Sequence, residues 1–211
     1  MGEVTNIEMR HNVGAELRAV VEAEGRPATV AGYAAVFDKP SFPLSAGGRK
    51  FIEIIRPGAF RNSLAEGKEV KADIGHSRER VIGRRSRGTL TLVEDQTGLL
   101  VSIIPGNDSD GRDVVEKLKR GDVDQMSFEF RVRPGGEQWQ RQQDGTYLRY
   151  LTDVDVLRVT VTADPAYGDT SVAVRSLEAV IANEEKDIKH EPVPADYFRI
   201  KLAKIKTTES A

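Results

Sequence analysis

Gly121-Asp-Val-Asp-Gln-Met-Ser-Phe-Glu-Phe-Arg-Val-Arg133 reads as a helix stop followed by a buried strand. On an extended chain successive side chains alternate, so Phe128, Phe130 and Val132 share one face and Ser127, Glu129 and Arg131 share the other. A small hydroxyl held among polar side chains on a core strand is a place for a nucleophile. It is equally a place for an ordinary serine, and the rest of the chain has to decide between the two.

Upstream of this stretch the pattern predicts a helix. Asp110 is placed to cap it and Asp113 to sit near its third position. Val114, Val115 and Leu118 form its apolar stripe, and Lys117, Lys119 and Arg120 suit its C-terminal end. Before the helix, 89–93 and 99–104 read as a hairpin around the turn 94–98. Further strands are expected over 16–22, 28–37, 51–55, 70–74 and 81–85. The loop 38–48 is rich in Pro, Ser and Gly, and Pro57 opens a short helix over 58–65 that Gly67 closes. Downstream, 134–146 reads as a polar loop interrupted by Trp139. Residues 147–164 read as a long strand or strand pair, 165–168 as its end, and 171–183 as a helix.

Strands dominate and the helices are local crossings, which makes the chain mainly β, of the α+β class. Apolar runs such as 99–104 and 156–161 call for strands covered on both sides. A closed or partly closed β-barrel with a few peripheral helices meets that demand, because closure removes edges. The expected organisation is a flexible N-terminal arm (1–15), a main domain (16–183) and a charged C-terminal tail (184–211).

Composition narrows the function. The chain has 211 residues, 39% hydrophobic and 30% charged, with net charge −2, which gives no reason to expect nucleic acid or a membrane as partner. Nothing approaches the roughly 18 apolar residues of a membrane span, and the acidic start is unlike a signal peptide. Cysteine is absent and histidine occurs only at 11, 76 and 190. Thiolate chemistry is thereby excluded, and neither a metal site nor any other cofactor is expected.

A serine hydroxyl needs a base to take its proton, and a positioned imidazole is the usual one. His11 falls in the arm and His190 in the tail. By elimination, His76, at the end of the strand 70–74, is the expected base. An acid to orient it could be Asp73, Glu129, Asp153, Asp155 or Asp164, which qualify by position only. Arg84, Arg85 and backbone N–H groups are available to an oxyanion or to substrate, although arginines in such a run are equally solvated strand ends.

Several stretches then stand in a familiar order: Phe51-Ile-Glu-Ile-Ile-Arg-Pro-Gly-Ala-Phe60; Gly75-His76 followed by Ile82-Gly-Arg84; Glu94-Asp-Gln-Thr-Gly-Leu99; Lys119-Arg-Gly121 leading to Met126-Ser-Phe-Glu-Phe130; and Asp164-Pro-Ala-Tyr167. Over about residues 14–176 the chain resembles the prohead maturation proteases of tailed bacteriophages, distant relatives of the herpesvirus assemblins. The resemblance implies a serine endopeptidase on an assemblin-like β-barrel, making 16–183 a protease domain. It implies work in the host cytoplasm, inside the viral procapsid, on scaffold or the scaffold-like region of the major capsid protein, often with self-cleavage. A homodimer is compatible with it. The family histidine falls on His76 and the family serine on Ser127. Where many relatives carry an acid before Pro-Ala-Tyr, this chain has Arg158, which cannot accept an imidazole N–H. The third role then passes to Asp155 or Asp153, the nearest acids in sequence, or the enzyme works as a Ser–His pair. On a regular strand Asp155 faces away from Arg158. A protease-derived scaffold or capsid-assembly factor without the chemistry is the competing reading, and a generic β-barrel binding module has only composition behind it.

Overall fold

A computed structural model describes residues 7–11, 17–20, 28–46, 49–163, 173 and 176–183. The chain opens with β1 (Glu8–His11), β2 (Arg18–Val20), β3 (Thr29–Val36), β4 (Leu44–Ala46) and β5 (Arg49–Ile55). Helix α1 (Arg61–Ala65) leads to β6 (Lys71–Ile74), β7 (Val81–Arg84) and the hairpin β8 (Leu90–Glu94) and β9 (Gly98–Ile103). Helix α2 (Ser109–Arg120) precedes β10 (Gln125–Val132), followed by β11 (Glu137–Arg141), β12 (Tyr147–Leu151) and β13 (Val154–Thr162).

These strands form three sheets, ordered β1-β10-β13-β6-β7, β11-β12-β5-β4 and β2-β3-β9-β8. The expected mainly-β architecture with few helices is observed; of the closed or partly closed barrel expected with it, no closed barrel is found. Among the described residues no ladder joins the first sheet's edge strands, β1 and β7. Double-sided burial is achieved by layering instead. Met126, Phe128, Phe130, Val159 and Val161 from the first sheet share one core with Val30, Val101 and Ile103 from the third. Phe60, just before α1, enters that core edge-on to Phe128 (ring centroids 5.8 Å apart) and stacks on Phe37 (6.0 Å). The apolar face of β10 is thus a core face, as its alternation requires.

Four local readings change. Residues 8–11, assigned to a flexible arm, form β1 and pair antiparallel with β10. The strand was hidden because its buried side chains, Glu8 and Arg10, are charged rather than apolar. The 134–146 loop contains β11, whose Trp139 lies against Phe51 (5.3 Å) and under the guanidinium of Arg149 (5.4 Å). The 38–48 loop contains β4. Helix α2 is capped by Asp108, whose carboxylate accepts the Gly111 N–H at 2.8 Å, not by Asp110. Asp110 lies in the first turn, where a negative charge suits the helix dipole, and pairs with Arg80. Gly121 ends α2 in the left-handed region (φ 77°), as the sequence suggests.

The turn of the β8–β9 hairpin explains why its residues are so particular. The Asp95 carboxylate accepts the Thr97 and Gly98 N–H groups and the Tyr33 hydroxyl. Glu94 accepts the Phe60 N–H at 2.9 Å, tying this turn to the Arg56–Phe60 segment. A Cβ on Gly98 would lie 1.9 Å from the Ala35 carbonyl oxygen. Gly98→Ala is therefore expected to destabilise the fold by about 1–3 kcal/mol or more, read as a lower thermal midpoint with unchanged secondary structure.

The chain divides into two compact units, 1–174 and 175–211. In the second, residues 176–183 are helical. The segments 164–172 and 184–211, including Asp164, the Pro-Ala-Tyr stretch, His190 and the charged tail, lie outside the described residues.

Candidate active site

Ser127 is the third residue of β10 and has no exposed surface. Antiparallel pairing sets it opposite Thr160 of β13, and the parallel β13–β6 ladder sets Thr160 beside Asp73. On the far side, β1 places His11 in register with Ser127. One row across four strands therefore reads His11, Ser127, Thr160, Asp73. His11, assigned to an arm by its polar surroundings, is on the strand next to the one that carries Ser127.

His76 stands just beyond the C-terminal end of β6. Because β10 runs antiparallel to β13 and β6 runs parallel to it, Ser127 and His76 occupy the same end of the sheet. The Gly75 N–H still donates to the Val161 carbonyl (2.9 Å), after which the chain turns through two left-handed residues, Gly75 (φ 59°) and His76 (φ 60°). Ser77 N–H closes the turn on the Ile74 carbonyl at 3.1 Å. Among the described residues the only other non-glycine in the left-handed region is Asp38. A histidine in that region costs of order 1–3 kcal/mol, a strain that accumulates where a side chain must be aimed.

Both His76 ring nitrogens and the Ser127 hydroxyl are buried without a hydrogen-bond partner. The remaining unpartnered buried side-chain atoms among the described residues, Arg133 Nε and Asp153 Oδ1, face each other at 3.6 Å as a loose ion pair. Unmet polar demand away from a mutual partner is thus confined to the serine and the histidine. A buried donor or acceptor left without a protein partner costs about 1–3 kcal/mol, and a catalytic role is one reason for a fold to keep such a group.

The face that carries Ser127 is charged but internally paired. Asp73, fully buried, accepts the Thr160 hydroxyl at Oδ1 (2.7 Å) and Arg158 Nη1 at Oδ2 (2.7 Å). Arg158 also reaches toward Glu129, with Nε 3.8 Å from the carboxylate. The guanidinium at the position expected to hold an acid therefore sits between two carboxylates.

The other candidates lie elsewhere. The β10–β13 ladder shifts register between Glu129 and Phe130, so Leu157 is skipped and Asp155 pairs with Arg131. This bulge returns Asp155 to the Ser127 face, reversing the expectation from regular alternation. Asp155 is nevertheless five residues along β13 from Thr160, about 16 Å at strand rise, and is bound to Arg133 and Lys68. Asp153 accepts from the Asn62 side chain at 2.9 Å. Neither acid is brought to Ser127. Arg84 pairs with Lys71 at the end of β6 opposite His76 and bonds Glu69 (2.9 Å). Arg85 donates to the Leu64 and Lys68 carbonyls, fastening the segment after α1. These arginines hold the scaffold rather than the Ser127 row.

The row was partly readable in advance. Arg158, Thr160 and Thr162 share parity on β13, alternating with Val159 and Val161, and Asp73 lies between Ala72 and Ile74 on β6. The pairing that joins them comes from the long-range register. No group of three or more His, Cys, Asp or Glu able to hold a metal occurs among the described residues, and no described helix is long and apolar enough to cross a membrane.

Searches of the curated proteins and of the solved structures each returned no significant match. The family model described as caudovirus prohead serine protease matches residues 15–184. With that match across most of its length, the chain belongs to the caudovirus prohead serine proteases.

Proposed function

We propose that the chain is a serine endopeptidase in which Ser127 is the nucleophile and His76 the general base. It would cleave scaffold, or the scaffold-like region of the major capsid protein, inside the procapsid in the host cytoplasm, and also itself. The observation that carries this reading is the pair of buried, unpartnered functional groups, Ser127 Oγ and the His76 imidazole, at one end of one sheet.

The chemistry needs both. His76 takes the hydroxyl proton as Ser127 Oγ bonds to the scissile carbonyl carbon. It then passes that proton to the leaving amine nitrogen as the C–N bond breaks. A water, deprotonated by the same imidazole, attacks the acyl-enzyme ester, and the proton returns to Ser127 as the new carboxyl product leaves. Backbone N–H groups are the natural donors to the oxyanion, since Arg84 and Arg85 are engaged elsewhere. Burial of Ser127 means that a peptide reaches it only after local opening, which suits an enzyme regulated by its assembly.

A peptidyl phosphonate tests the activation directly, because it bonds only to an activated hydroxyl. Intact-mass and peptide mapping are expected to place the adduct on Ser127. The labelling rate should fall by about 10²-fold or more in His76→Ala. Labelling elsewhere, or at an unchanged rate in that variant, refutes the assignment. The competing reading, an assembly factor on a protease fold, is favoured by one observation, the guanidinium of Arg158 at the expected acid position. It predicts no adduct at all.

A further inference from the structure

We infer that Asp73 is the positioning acid of this site. Its role has moved from β13 to β6, and Arg158 remains as the counter-ion that holds it. The inference rests on the serine–histidine reading above. It begins with the imidazole's unmet demand. A neutral imidazole has one N–H to donate and one nitrogen to accept the serine proton, and in this chain both are buried and unpartnered. An acceptor must therefore be supplied nearby for the N–H.

Among the described acids, Asp73 combines three geometric features. It stands three residues before His76 on β6, which ends at Ile74 just short of the histidine. It shares the sheet row of Ser127 through Thr160. It is completely buried, so it cannot serve as a surface ion pair. Its capacity also fits. An ionised carboxylate offers about four lone-pair sites, and the described hydrogen bonds to Asp73 come from Thr160 on one oxygen and Arg158 on the other. The carboxylate has acceptor capacity left and the imidazole N–H has none supplied. Catalytic hydrogen bonds are often open before substrate binds and tighten in the complex.

Arg158 then has a reason to be where an acid is expected. A buried carboxylate needs a partner for its charge, and the Arg158 guanidinium is placed to be that partner. The Thr160 hydroxyl and Arg158 Nη1 approach Asp73 from β13 and fix the orientation of the carboxylate. Arg158 supplies charge to the acid; it does not itself meet the imidazole.

Steady-state cleavage of a capsid-derived peptide separates this role from a purely structural one, using the full chain. Asp73→Asn is expected to lower kcat about 10²- to 10⁴-fold with KM nearly unchanged, because a group that acts on the imidazole and not on the peptide alters the chemical step alone. Asp155→Asn, remote from Ser127, is expected to leave kcat within about twofold. Circular dichroism and thermal melting identify a variant that fails to fold. In that case Thr160→Val, which removes one bond to Asp73, serves in its place, with a smaller kcat loss of about tenfold or more and the same unchanged KM. A folded Asp73→Asn with wild-type kcat, or equal losses in kcat and affinity, overturns the inference. Loss of activity in Ser127→Ala beside full activity in Asp73→Asn defeats the positioning role alone. Full activity in Ser127→Ala defeats the protease reading itself.

Discussion

Ser127→Ala is expected to abolish cleavage while raising the melting temperature. In a serine protease, removing the nucleophile costs on the order of 10⁵–10⁶ in kcat, leaving whatever binding and oxyanion stabilisation provide. The thermal effect has a separate origin. The Ser127 hydroxyl is buried and unpartnered, so the folded state bears its desolvation without compensation. Alanine removes that burden, worth about 1–3 kcal/mol, and leaves only a small void. For a chain of this size each kcal/mol moves the midpoint by roughly 2–4 °C, giving an expected rise of a few degrees. An ordinary structural serine would behave in the opposite way, with activity retained and stability unchanged or lower. Measuring processed capsid protein by mass beside a differential-scanning melt distinguishes the two. Persistent cleavage overturns the assignment, and a lower melting temperature overturns the account of an unpaired hydroxyl.

Arg149→Met is expected to destabilise the fold by about 3–5 kcal/mol, because it strands buried carboxylates. Arg149 has no exposed surface and donates to both Glu8 oxygens (2.6 and 2.8 Å), to Glu53 (2.9 Å) and to Glu137 (2.6 Å). Arg10 completes the network with bonds to Glu53 and Glu8, each at 2.8 Å. Burial alone would weaken proton binding by Arg149, but the surrounding carboxylates raise its affinity well above the ordinary value. A urea titration should show a lower midpoint with little change in slope. The double variant Glu8→Gln with Arg149→Met should recover part of the loss, since fewer carboxylates are then unpaired.

The same network predicts acid sensitivity. Burial pushes the Glu8 carboxyl upward, yet the Arg149 and Arg10 bonds and charges prevail and hold it below its ordinary value of 4.5. A lowered folded pKa contributes stability that is fully present above the ordinary value and is lost progressively as pH falls from there through the lowered folded value. This part of the stability therefore begins to fall below about pH 4.5, and Glu8→Gln should flatten that limb of the pH–stability curve.

Alternation along β10 was enough to read one face as core, and Phe128 and Phe130 are fully packed there. The histidine count left three candidates, and His76 was preferred only because His11 was read as part of a loose arm, whereas His11 pairs opposite Ser127. Two things escaped for physical reasons. Hydrophobic patterning is blind to strands buried through ion pairs, so β1 and its His11 looked like loose chain although Glu8 and Arg10 are enclosed. Alternation along one strand also cannot foresee a bulge, and the shift after Glu129 is what re-faced Asp155. The Asp73–Arg158–Thr160 contacts lie 85 and 87 residues apart in sequence and depend on sheet order, which local signals do not encode. Likewise, buried strands suggested closure because a single sequence cannot distinguish a barrel wall from a layer covered by another sheet.

The pairing of β1 with β10 also has a consequence in time. Glu8 meets Arg149 across 141 positions of sequence, and β1 meets a strand that begins at Gln125. Such distant pairings make folding slow, because loop closure must precede the contacts that reward it. On the ribosome the first strand waits until nearly the whole sheet has emerged. The hydroxyl is enclosed, and its neighbours ordered, only near the end of synthesis. A nascent chain therefore does not enclose Ser127 until β1, β10 and β13 have all emerged and paired.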